Sequence, residues 1–180
     1  MMPRFDPAGL YELDLAHGTV KTRGGDRVVV LSDTVLGPLV SAAAAAGDLT
    51  PVRALGEKLG EAARGSLEDA AAAGPEAVLG EARAVFGAFG WGRLGLERWG
   101  DALVATVDGA PGLDDAGLGL AALLGGLFSA LAGREVSCVP ASGGRFLLVD
   151  PSVAEQVWSW AEGGADVASL VGRLHRPEGA

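Results

Sequence analysis

A single cysteine, Cys138, rules out an internal disulfide, and two histidines, His17 and His175, are too few beside it for a structural zinc site of the usual kind. A reducing compartment suits such a chain. Basic residues are scarce as well: 14 Lys and Arg stand against 23 Asp and Glu, a net charge of -9. The densest basic group is the scattered set Lys21, Arg23 and Arg27, which excludes binding of nucleic acid through phosphate neutralisation. The opening MMPRFDPAGLYELDL has an early acid and no apolar core of signal-peptide length, so cytoplasmic residence is expected. No repeat of fixed period is visible, and 180 residues suit one domain with a real core.

What the chain has in excess is small residues. Twenty-nine glycines and the tract SAAAAAG fit a high-GC coding bias that raises Ala and Gly without a functional reason. Hydropathy patterning is more informative. Residues 10–31 alternate apolar and polar side chains around turns at His17-Gly18 and Gly24-Gly25, the pattern of a hairpin or small meander. A helix is expected to follow from a cap at Ser32 or Asp33 to a stop at Gly47, kinked or divided by Pro38. The next is predicted to start with Thr50 as cap and Pro51 in first position and to end near Gly74, with Val52, Leu55, Leu59, Ala62, Ala63 and Leu67 on one face. Pro75 opens a third, with the stripe Val78, Leu79, Ala82, Val85, Phe86 and Phe89 and a stop at Gly90.

Period two then takes over. Leu94 and Leu96 share one face of a strand, Leu103, Ala105 and Val107 one face of the next, and WGDA joins them as a hairpin. A second hairpin is expected around Ser142-Gly143-Gly144, followed by two closing helices, the first capped by Asp150 with Pro151 in first position. Hairpin, three helices, hairpin, helix, hairpin and helices amount to an α+β fold, an antiparallel sheet covered by helices. A single compact domain is expected over 1–180, with N-terminal strands in 1–31, a core in 32–149 and C-terminal helices in 150–175.

Between the hairpins lies DDAGLGLAALLGGLFSALAGREV, uncharged from Ala116 to Gly133. A bilayer crossing needs about 20 mostly apolar residues. This run has no second apolar span beside it and no basic flank, and strand-patterned hairpins border it, so a buried helix and no membrane span is expected. On a helical wheel Ala121, Gly125, Ser129 and Gly133 recur every fourth residue, with Ala122, Gly126 and Ala130 beside them. Leu120, Leu123, Leu124, Leu127, Leu131 and Phe128 project elsewhere. The leucines are expected to fill a core, and the stripe Ala121, Gly125, Ser129, Gly133 to admit a second copy of the chain at a two-fold contact.

No catalytic constellation stands out, and none of the residues is assigned a catalytic role. His17 belongs to a turn and His175 to the end of the last helix, and neither has a nucleophile or metal partner in a recognisable motif. The carboxylate pairs Glu68-Asp69 and Asp114-Asp115 sit at helix ends, where acids are ordinary. Gly117, Gly119 and Ala122 miss the G-x-G-x-x-G spacing of a dinucleotide turn. Cys138, on a strand, reads as a small buried hydrophobe. Of Trp158 and Trp160, one is expected to pack inward while the other meets solvent or a partner. No cofactor is implied.

The succession RALGEKLGEAA, LGEARAVFGAFGWGRLGLE, DALVATVDGAP, AGLGLAALLGGLFSALAGREVSC and SGGRFLLV resembles the 4-vinyl reductase domain and its relatives in the transport-particle (TRAPP) subunits. That resemblance covers more than half of the chain. It implies an antiparallel sheet with helices on one face, commonly a homodimer, serving as a sensor of small apolar ligands or as an assembly scaffold for another protein. Zinc-bearing members use paired cysteines with an acid near the final hairpin; Glu135 and Cys138 fit the start of that pattern, but VPASGGRFLLV holds no second cysteine, so no metal site carries over. FGWGRLGLERWGDALVATVDGAP is also similar to the bacterial cellulose synthase D subunit, which implies a ring-forming subunit of a glucan export complex. The leading expectation is a non-enzymatic, homodimeric binding or scaffold module. Its candidate pocket is lined by Phe86, Phe89, Leu127 and Phe128, an apolar enclosure of several hundred Å3.

Overall fold

A computed structural model describes residues 11–22, 25–67 and 72–175. The expectations placed on the first ten residues, on Arg23, on the Glu68-Asp69 pair and on the tail from Arg176 lie outside them.

The alternating N-terminal segment forms the expected antiparallel meander of β1 (Tyr11–Asp14), β2 (Thr19–Thr22) and β3 (Arg27–Val28). Helix α1 (Asp33–Ala45) follows from an N-cap at Ser32 and stops at Gly47, whose φ of 70° needs a residue without Cβ. Pro38 does not divide it. Both Pro38 and Thr34, whose carbonyl loses its partner four residues on, are exposed, so water can take the place of the missing N–H.

Helix α2 (Thr50–Gly65) takes Thr50 as its first residue, not as its cap; the Asp48 carboxylate accepts the Thr50 N–H at 3.0 Å. It ends at Gly65, well short of Gly74. Its buried face is Val52, Gly56, Leu59, Gly60 and Ala63, whereas Leu55 and Ala62, expected on that face, are exposed. Helix α3 (Pro75–Ala88) then leads through Gly90 into the hairpin β4 (Arg93–Trp99) and β5 (Ala102–Asp108). The uncharged run forms α4 (Leu118–Ala132), fifteen residues long, and its first amides, Leu118 and Gly119, donate to the two oxygens of Asp114 at 2.8 and 2.6 Å. No helix among the described residues is long and apolar enough to cross a membrane. Strands β6 (Ser137–Ala141) and β7 (Arg145–Val149) and helices α5 (Pro151–Glu162) and α6 (Val167–Leu174) complete the chain. Asp150 and Asp166 cap the last two helices through the amides of Ser152 and Ser169.

The second sheet runs β4-β5-β7-β6, antiparallel throughout. Because alternate residues of a strand face opposite ways, β5 and β7 supply both sides. Leu94, Ala105, Val107 and Phe146 join the core made with α1, α2, α3 and α4, while Val104, Val139, Leu147 and Val149 join a second core under α5 and α6. The fold is α+β with an antiparallel sheet covered by helices, as the patterning predicts. The one-sided cover implied by the family resemblance is not what forms, because α5 and α6 have apolar stripes of their own that close the second face.

The first core is organised by a seam between α2 and α4. Gly56 and Gly60 on α2 meet Leu123, Leu127 and Ala130 on α4; a Cβ on Gly60 would come within 2.7 Å of the Leu127 carbonyl oxygen and of the Ala130 Cβ. From the other side, a Cβ on Gly126 would run into the carbonyl of Arg53. These glycines are therefore structural requirements and not products of coding bias. Backbone meets backbone along the seam, as it does between small-residue helix faces generally.

Candidate functional site

Two features of the helical layer concern function. One is the stripe expected to meet a second copy. The structure turns it inward: Ala121 and Gly125 are buried, and a Cβ on Gly125 would lie 2.8 Å from an Arg53 nitrogen and 3.4 Å from the Val136 carbonyl oxygen. Ser129 Oγ accepts from Arg53 Nη2 at 2.8 Å and from the Val136 amide at 2.9 Å, and donates to the Gly125 carbonyl at 2.7 Å. Gly133, the fourth member, is the left-handed residue that ends α4. The wheel located the stripe correctly, but this chain's own α2 and β6 fill it, and the neighbouring Gly126 and Ala130 are filled by α2. Small residues permit close approach without specifying whose backbone approaches.

The stripe thus forms a node. Arg53 Nη1 also donates to the Val136 carbonyl at 3.1 Å, so one guanidinium ties α2 to α4 and to the strand entry at β6, with Glu57 at 3.6 Å and Glu135 at 3.8 Å. Cys138, half-buried, lies beside it, and desolvation pushes its thiol up to about 12 although the Arg53 charge pulls the other way. At pH 8 such a thiol holds almost no thiolate, the reactive form. The native chain is expected to resist a disulfide reagent such as Ellman's for hours at pH 8 and to react with one equivalent on addition of guanidinium; prompt labelling of the native chain would contradict the burial. Glu135 and Cys138 gather no further ligand: among the described residues, no group of three or more His, Cys, Asp or Glu could hold a metal ion.

The second feature is a cleft of about 650 Å3 between the first turns of α3, the last turns of α4 and the end of the β4-β5-β7 face that the helices leave uncovered. Its walls are apolar: Val78 and Leu79 from α3, Phe128 and Leu131 from α4, Leu96 and Leu103 from the sheet. Leu103 is 41% exposed although it points to the same side as buried Ala105 and Val107, because the cleft lies in front of it. Arg64, Glu76, Asp101, Arg134 and Asp150 stand at the rim, and three of them are engaged. Arg64 Nη1 donates to the last carbonyls of α4, Ala130 at 3.2 Å and Leu131 at 3.3 Å. Asp150 accepts from Ser152, and Asp101 lies 3.7 Å from both Arg98 and His175.

Of the four residues expected to line a pocket, Phe128 alone reaches this cleft. Phe86 and Leu127 are fully buried, Phe86 against Trp91 at 6.5 Å between ring centroids. Phe89 meets Tyr11 edge-on at 6.1 Å, which anchors the meander to the end of α3. The cleft opens along the other end of α3, at Val78 and Leu79. The sequence carried no signal for it, since Val78 and Leu79 belong to an ordinary apolar helix stripe. The tryptophans are also more evenly placed than expected, Trp158 and Trp160 both half-buried against the second core and Trp160 under Arg173 at 5.5 Å. No protein-family model and no curated protein matches the chain.

Proposed function

We propose that this chain is a non-enzymatic binding module that takes a small, mainly apolar molecule in the cleft between α3, α4 and the sheet. The cleft itself carries the reading. Ligand sites are typically concavities of ~300–1,000 Å3, walled by apolar and aromatic side chains with a few polar groups at the edge, and a 650 Å3 space walled by Leu96, Leu103, Phe128 and Leu131 has that form. Arg64 and Asp150 at the rim already hold hydrogen-bond partners, and the walls between them are apolar, which favours a ligand recognised mainly by shape and desolvation. The resemblance to the 4-vinyl reductase domain supports the same reading. No nucleophile with an adjacent base accompanies these walls, which favours holding over turnover.

Leu103 supplies the test, since it is exposed enough to be replaced without opening the core. An apolar fluorescent probe such as N-phenyl-1-naphthylamine is expected to bind the native chain with one site. Leu103→Arg is expected to weaken binding at least about tenfold, and Leu55→Arg, at an equally exposed position on α2 outside the cleft, to leave it unchanged. Equal binding by wild type and Leu103→Arg would remove the cleft from consideration.

A further inference from the structure

We draw no further inference here: the strongest candidate, the exposed aliphatic face that Val35 and Leu39 give to α1 together with Val29, Val30 and Leu31 leading into it, carries nothing because nothing in the structure shows what covers it.

Discussion

Gly56→Ala is expected to destabilise the chain by about 3 kcal/mol or more, a large part of the ~5–15 kcal/mol available to a domain. Two effects oppose each other at this position. Alanine gains up to ~1 kcal/mol over glycine in a helix interior. Against that, the new Cβ would fall inside the Leu123 carbonyl oxygen, 2.7 Å from the Leu123 carbonyl carbon and 3.0 Å from the Leu127 nitrogen, all of them backbone atoms that cannot rotate aside. The two helices must then part, and every contact along Gly60 and Gly126 loosens with them. The clash wins because the lost packing extends over several turns while the propensity gain belongs to one residue. Gly80→Ala isolates the smaller effect: it lies inside α3 with nothing within 4 Å of its Cβ position, and a gain of about 0.5–1 kcal/mol is expected. Urea melts of the two variants should move in opposite directions, and a neutral Gly56→Ala would mean that the seam is not so close.

Arg53→Leu is expected to cost about 2–4 kcal/mol, a loss of the same order from a different source. Leucine keeps the buried stem but removes the donors to the Val136 carbonyl and to Ser129 Oγ. Bonds from a charged donor contribute ~1.5–3 kcal/mol each, and the side chain is mostly shielded from water, at 25% exposure. Glu57 and Glu135 would also face each other without the cation between them. Arg53→Lys is not expected to restore the loss, since a single ammonium cannot span two acceptors on different elements as the planar fork does. A fall in urea midpoint at constant m-value would identify the change as one of native stability. A loss below 1 kcal/mol for Arg53→Leu would show that Ser129 and the Val136 backbone hold β6 to α4 by themselves.

The elements were legible where local chemistry decides them. Alternation and turn residues exposed the N-terminal strands and both later hairpins, because a half-buried strand has a period of two; Pro51, Pro75 and Pro151 marked helix starts, and Gly47 and Gly90 marked ends. Misreadings arose where the deciding partner is distant in sequence. Gly56 and Gly60 look like compositional noise until Leu123 and Ala130 are placed against them, and Leu55 looks like core until those glycines claim the buried face. The stripe on α4 was found but assigned to another molecule, since a wheel shows a face and not its neighbour. Phe86 and Phe89 drew attention as aromatics, yet rings that large fill the core and the Tyr11 contact. The cleft instead belongs to Val78, Leu96, Leu103 and Leu131, ordinary aliphatics that become a site by what is missing in front of them.

The α2–α4 seam also bears on the order of assembly. Arg64 and Ala130, joined across it, are 66 positions apart in the chain, and Arg53 and Ser129 are 76 apart. Closing so long a loop costs entropy before any packing repays it, and α3 and the β4-β5 hairpin, both local structures, lie inside the loop. The hairpin can form early from neighbouring residues; the glycine faces meet only once the intervening chain has shortened. A closure that comes after the rate-limiting step would leave its signature in how fast the native state comes apart, so the glycines of the seam would set the lifetime of the folded chain more than the speed at which it is reached.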